Sequence, residues 1–378
     1  MHSAGLHAGE ASYHGERRGY AEIMTVQLRV VIDQVGVDAD LAQAARGLTE
    51  GLIRTAPRGC VVSAIAPNGS EVSVAGLHDV RTLPLARREL AAAWQMGIAA
   101  GVGGGLIHSP TLLAPLVRHD RVHDNDQTTV TLWDLCAWEN PDALPKTSVA
   151  WQRAMLKRAV RHADAVVVPS HAMAERLAEI TSLGDRIRVI AGAAPAGFRE
   201  PADASRLRKD LRLPERYVAV TGDGESYADG LRAAARADVH AVVLDARDGT
   251  GAALIELASS AGLPEVRMHL LGGLDDSSRA AVLAAAGAVV ATSAALAWPW
   301  RLIEAMELGV PVVAADSGVH SDVIADGGAV VPSDQLDEPL VDALGSGRQR
   351  LQVLGADRAR AFSWASSAER VWALHAEL

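Results

Sequence analysis

Cysteine is almost absent from this chain: of 378 residues, only Cys60 and Cys136 carry thiols. Two isolated cysteines without C-x-x-C spacing argue against a disulfide framework and against a cysteine zinc site. They fit a reducing compartment, and a cytoplasmic location is expected. Cations are also in the minority. Lys and Arg number 36 against 46 Asp and Glu, giving a net charge of −10. Nucleic acid is therefore not expected as the main partner, because binding its phosphates needs clustered cations. Residues 1–23 lack the apolar centre of a secretory signal. They are expected to form an irregular, dispensable tail, with Met24 opening the first strand-like run. The uncharged run between Arg279 and Arg301 contains Gly287, Thr292, Ser293 and Pro299. It reads as a helix end, a buried strand and a loop, not as one unbroken membrane span.

What is present is apolar and regular. Hydrophobic residues make up 49% and charged residues 22%, which predicts a packed core. The length suggests two domains. Short β-rich runs alternate with longer Ala- and Leu-rich amphipathic runs. Strands are expected at 28–33, 60–66, 128–133, 165–169 and 187–190, then at 217–221, 240–245, 266–271, 288–292 and 311–315. Continuous apolar strands separated by helices imply parallel sheets covered on both faces. Two such sets predict an α/β protein with two Rossmann-like, doubly wound domains facing a cleft, and a ligand at the carboxyl ends of the strands. The charged stretch 198–214, with Pro201 and Pro214, is the expected boundary. The expected divisions are a tail at 1–23, an N-terminal domain at 24–200, a C-terminal domain at 201–355 and a terminal helix at 356–378.

Residues 302–334, LIEAMELGVPVVAADSGVHSDVIADGGAVVPSD, are the most informative stretch. They read as a helix, a left-handed stop at Gly309, and Pro311 leading a buried strand. The helix starts after Pro299 and is expected to face the cleft, where its N-terminal amides can hold a diphosphate. Glu304 lies in its first turn, placed to accept hydrogen bonds from a ribose diol.

These residues resemble the donor-binding motif of the family-4 retaining glycosyltransferases, which have the GT-B fold. Glu304-Ala305-Met306 and Gly309-Val310-Pro311-Val312-Val313 match its core. The segments 131–145, 162–177 and 186–198 and the Phe362-Ser363-Trp364 triplet extend the likeness from Leu28 to the end. The resemblance implies transfer of a hexose from a nucleotide-diphosphate sugar to a glycan or lipid-linked acceptor, as in polysaccharide biosynthesis, with retention of configuration and no metal or other cofactor. It implies donor contacts from Glu304, Arg301, Gly222 and the amides of Leu302 and Ile303. Asp134 is the implied catalytic group, and Ser170, His108 and Trp133 lie on the acceptor side.

The chain departs from the family pattern where the sugar and diphosphate should sit. Leu296 replaces a second glutamate eight positions before Glu304. Ala297-Trp298-Pro299-Trp300-Arg301 replaces a Gly-rich segment, and its two indoles should crowd the sugar pocket. Tyr227 and Ala228 stand where an Arg-Lys pair is usual, with Arg301, Arg232 and Arg236 as substitute cations. Trp133-Asp134 replaces a His-Asp pair. Fixed cations at a leaving diphosphate supply much of the transition-state stabilisation. Two main readings stay open at this point: a working hexosyltransferase, or a non-catalytic binding or partner protein of the same fold. An epimerase-like protein of that architecture is a third reading, opposed by the Gly-Val-Pro pattern and by Phe362-Ser363-Trp364.

Other constellations have plainer readings. Gly101–Gly105 follows a helical run and lacks a P-loop lysine, so it reads as a turn before a strand at Ile107-His108-Ser109-Pro110. Asp38 with Asp40, and Asp124 with Asp126, read as solvated loop acids without a third metal ligand. His119 and His123 read as surface histidines. Arg153, Lys157 and Arg161 share one helical face, which is either solvated or in weak peripheral contact with anionic lipid.

Overall fold

The computed structural model describes residues 25–33, 38–120, 125–247 and 249–378. The expected tail, Met24, His123 and Asp124 lie outside the described residues.

Two parallel sheets organise the chain. The first has the order β3-β2-β1-β4-β5-β6-β7, with β1 (Val26–Val31), β2 (Cys60–Asn68), β3 (Val80–Ala86), β4 (Leu106–Ser109), β5 (Gln127–Thr131), β6 (Ala165–Val168) and β7 (Ile187–Val189). Its helices are α1 (Ala39–Arg54), α2 (Arg87–Met96), α3 (Cys136–Glu139), α4 (Lys146–His162) and α5 (His171–Ile180). The second sheet has the order β10-β9-β8-β11-β12-β13. Its strands are β8 (Tyr217–Thr221), β9 (His240–Val243), β10 (Met268–Leu270), β11 (Val289–Ala291), β12 (Val312–Ala315) and β13 (Ala329–Val331). Its helices are α6 (Ala204–Asp210), α7 (Tyr227–Arg236), α8 (Gly251–Ser260), α9 (Asp276–Ala285), α10 (Trp300–Glu307), α11 (Gly318–Ile324), α12 (Asp337–Leu344) and α13 (Arg348–Ala359). Each expected strand appears within or beside its span, and β3 and β13 are additional.

All strand pairs are parallel. The apolar runs are buried because helices cover both faces. In each sheet the strand order reverses beside the first strand, between β1 and β4 and between β8 and β11. Crevices at such switch points are where open α/β sheets bind ligands.

The run 356–378, expected as one final helix, is divided. It begins inside α13, breaks at 360–363 and resumes as α14 (Trp364–Glu377), whose N-cap Ser363 accepts from Ser366 N. Helix α14 returns to the first sheet and packs on α1. Gly47 and Gly51 permit this contact: a Cβ on Gly51 would lie 2.4 Å from the Trp364 carbonyl oxygen, and one on Gly47 2.5 Å from the Trp364 indole nitrogen. Trp372 Nε1 donates to Leu52 O at 3.1 Å. The last helix thus ties the end of the chain to the first sheet, and the two halves are connected twice.

Candidate functional site

The two halves meet through backbone as well as side chains. Trp298 N donates to Trp133 O at 2.9 Å and Leu135 N to Leu296 O at 2.8 Å, forming an antiparallel bridge between Asp134 and Ala297. The loop before α10 is therefore paired with the loop after β5. Indoles fill the space around this bridge. Trp133 lies 5.1 Å from Trp300 and 6.3 Å from Trp364, centroid to centroid. The crowding expected from Trp298 and Trp300 is present.

Beside the bridge, at the carboxyl ends of β8 and β11, lies a cavity of ≈ 160 Å³ whose lining includes Thr221, Gly222, Ser293, Trp298, Trp300 and Arg301. Gly222 is required by close approach, because a Cβ there would sit 2.5 Å from Thr292 Oγ1. His320 also borders the cavity. Its Nδ1–H donates to Ala315 O at 2.8 Å, and burial lowers its pKa, so the ring is neutral.

The cation of this cavity is Arg301, 8% exposed, and three carboxylates already hold it. Nη1 donates to both oxygens of Glu304 at 2.9 Å, and Nε to Asp245 Oδ2 at 2.8 Å. Nη2 crosses to Asp40 on α1, at 2.8 Å from Oδ1 and 2.9 Å from Oδ2. Burial works against the guanidinium charge, but Glu304, Asp40 and Asp245 outweigh it and hold the pKa above its ordinary value. Burial also pushes the Asp40 carboxyl up to about 6, against the pull of Arg301.

This network corrects several expectations. Glu304 does not face the cleft: it is 2% exposed, and Arg279 Nε also donates to its oxygens at 3.0 and 2.9 Å. It anchors two arginines and has no face left for a ribose. The amides of Leu302 and Ile303 are not available to a diphosphate either, since both donate to Pro299 O, at 3.0 and 3.4 Å. Leu302 still borders the cavity, whereas Ile303 is core. Tyr227, at the expected cation position, is buried and donates its hydroxyl to Leu244 O at 3.4 Å. Arg232 and Arg236 pair with Asp229 and Asp337 and do not border the cavity.

On the opposite side, Trp133 is buried, its Nε1 donating to Pro110 O at 2.8 Å. Asp134 is half-buried; its Oδ1 accepts from Cys136 N at 2.9 Å, and burial raises its pKa. Ser170 caps α5 by accepting from Met173 N at 3.3 Å and borders a second cavity that shares Trp298 with the first. His108 does not point to the cleft. It is fully buried under α14, with Nδ1 2.7 Å from Thr129 Oγ1 and its ring 5.9 Å from that of His375.

Asp38 caps α1, accepting from Asp40 N at 2.9 Å, while Asp40 is not a solvated acid but the first sheet's partner for Arg301. His119 is not a surface histidine: its side chain is 8% exposed and its Nε2 lies 3.1 Å from Asp164. Gly101–Gly105 is a turn held by Arg29, which donates to Val102 O at 2.8 Å and to Gly104 O. Arg153, Lys157 and Arg161 are exposed on α4. Among the described residues no group of His, Cys, Asp or Glu could hold a metal ion, and no helix is long and apolar enough to cross a membrane.

Sequence reasoning missed Asp40, Asp245, Arg279 and His320. Glu304 and Arg301 stand at i and i−3 on one helix, a spacing that allows a pair. The other partners come from distant segments and leave no local signal.

Known structures share this architecture over nearly the whole chain. Sucrose-phosphate synthase from Thermosynechococcus elongatus is 20% identical with a TM-score of 0.63, over 93% of this chain and 98% of that one. HepE of Anabaena, in complex with UDP and glucose, is 19% identical with a TM-score of 0.67, over 93% of this chain and all (100%) of that one. The fold is GT-B. Within that GT-B fold, residues 226–345, most of the second sheet and its helices, match the family described as glycosyl transferases group 1. D-inositol 3-phosphate glycosyltransferase of Nocardia farcinica is 30% identical over 238 residues, 56% of this chain and 52% of that protein. The chain thus spans about half the length of this curated relative.

Proposed function

We propose that the chain is a retaining glycosyltransferase of family 4, moving a hexose from a nucleotide-diphosphate sugar to a glycan or lipid-linked acceptor in the cytoplasm. The observation that carries this reading is the cavity at the second switch point, which Gly222 borders and where Arg301 supplies the cation. The match of residues 226–345 to a glycosyltransferase family and the UDP and glucose held by HepE support it over the non-catalytic alternative.

The cavity volume of ≈ 160 Å³ is smaller than the roughly 300–1,000 Å³ of small-molecule pockets. A whole donor enters only when residues 296–298 separate from 133–135, a hinge opening of the two halves. The diphosphate then replaces Asp40 and Asp245 on Arg301, while Glu304 keeps the guanidinium oriented. Asp245, at the end of β9, is released toward the ribose, the position from which an acid binds ribose in related α/β folds. As the bond from the anomeric carbon to the diphosphate breaks, Arg301 stabilises the charge on the leaving group. The acceptor oxygen, arriving from the first half, bonds to that carbon on the face the diphosphate leaves, which keeps the anomeric configuration. Asp134, its pKa raised by burial, is suited to take the acceptor proton. No metal or other cofactor enters this scheme.

The test is release of nucleoside diphosphate from a panel of UDP-, GDP- and ADP-hexoses, with and without glycan and lipid-linked acceptors. One donor should be turned over by the natural chain, and Arg301→Gln should slow it by about 10²-fold or more. No release from any donor would count against the reading.

A further inference from the structure

The second cavity, ≈ 180 Å³ in volume, lies where α5, α11, the end of α13 and the start of α14 converge. Trp298 borders both this cavity and the donor-side one. The indole is 4% exposed, yet its Nε1–H has no acceptor among the described residues. Buried donors of this kind are seldom left unmatched; this one lies against Gly192, where an added Cβ would come within 2.8 Å of it, next to Ala191 in the cavity wall.

The charges around the cavity are arranged for an anion. Arg358 is fixed by donating from Nε to Val323 O at 2.7 Å and from Nη2 to Asp322 O at 2.6 Å, with its guanidinium carbon 5.0 Å from the centre of the Phe362 ring. Those bonds go to neutral carbonyls, and among the described residues no ion pair compensates its charge. Arg370 is exposed and has no ion pair among the described residues. It lies four residues after Ser366, on the same face of α14, and both border the cavity. One carboxylate, Asp322, is also in the wall; it is turned to α5, accepting from Ala172 N at 2.8 Å. Two guanidinium groups against one occupied carboxylate leave the cavity positive. Its volume is below the roughly 300–1,000 Å³ of whole-ligand pockets, so it holds a group and not an entire molecule.

We infer that this cavity is a phosphate subsite, built from Arg358, Arg370, Ser366 and the Trp298 indole N–H, for an acceptor that carries a phosphate monoester. The inference rests on the transferase reading for the word acceptor, and on the cavity alone for the phosphate. The shared Trp298 wall places the phosphate on one side of the indole and the rest of the acceptor toward the donor.

The experiment titrates inorganic phosphate and glycerol phosphate into the full chain at constant ionic strength, following thermal stability and heat of binding. Both should saturate at one site, glycerol phosphate at least as tightly. Arg370→Ala, an exposed substitution that spares the fold, should weaken both tenfold or more. Trp298→Phe should weaken them severalfold while keeping the ring. A nucleotide sugar should bind alongside the phosphate. Unchanged affinity in Arg370→Ala, competition between phosphate and nucleotide sugar, or binding of inorganic phosphate alone would each overturn the subsite. Arg370-dependent binding of both probes in a protein that takes no nucleotide sugar would uphold the phosphate subsite and remove only the donor reading.

Discussion

Arg301 and Asp40 meet across the cleft, Nη2 lying 2.8 Å from Oδ1 and 2.9 Å from Oδ2. The residue proposed to hold the donor diphosphate is thus also a clasp between the two halves. The donor must compete with a carboxylate of the first half for the same guanidinium, which couples donor entry to separation of the halves.

That competition is sensitive to pH. Asp40 titrates at about 6, so below that pH it is neutral and Arg301 is less compensated. Affinity for the nucleotide sugar should therefore rise severalfold as the pH falls from about 7.5 to about 5.5, where a tenfold change is about 1.4 kcal/mol. Asp40→Asn should bind more tightly throughout and lose this dependence. A nucleotide sugar is the right ligand for the titration, because the terminal phosphate of a free nucleotide has its own pKa near ~6. An identical pH profile in Asp40→Asn would separate Arg301 from donor binding.

Glu304 has the opposite role to the one its motif suggests. It is the buried counter-charge for Arg279 and Arg301, and removing one partner of a buried pair costs about 3–5 kcal/mol. Glu304→Gln should therefore lower the free energy of unfolding by about that amount in a urea titration. A well-folded Glu304→Gln of natural stability that has lost only ligand affinity would restore the ribose role.

Much of the fold was legible because parallel strands buried on both faces are continuous apolar runs. Residues 302–315 announced α10 and β12 through Gly309 and Pro311. The strands that escaped notice lack that signature: β3 is mostly exposed and contains Pro84, as an edge strand can, and β13 is only three residues long. The site was less legible. Gly222 and Arg301 could be placed beside the cavity from their positions after β8 and at the start of α10. Asp40 could not, since its partner lies 261 residues away. His108 was misplaced because the sequence shows a strand end but not that α14 returns to cover it. Glu304 was misread because its motif position does not reveal Arg279, which reaches it from α9.

The return of α14 gives the fold its own acid sensitivity. His108 and His375 are packed together with Thr129 between them, and Gln127 Oε1 lies 2.9 Å from His375 Nδ1. Burial, reinforced by His375, lowers the pKa of His108 to about 3, and burial lowers that of His375 to about 4. The unfolded chain takes up protons near about pH 6.5, while the folded chain keeps both rings neutral. Their contribution to stability is therefore complete above about pH 6.5 and is lost as the pH falls toward 4 and then 3. Denaturation midpoints should fall steadily over that range, and His375→Gln should flatten the slope. An unchanged slope in His375→Gln would show that the acid response arises elsewhere.

The most direct measurement of the central claim is calorimetric titration of the natural chain with UDP-, GDP- and ADP-sugars, repeated with Arg301→Gln after its folding is checked. One nucleotide class should bind saturably at a single site, with affinity lost in Arg301→Gln. Binding that is unaffected by Arg301→Gln, or no heat with any nucleotide sugar, would contradict it.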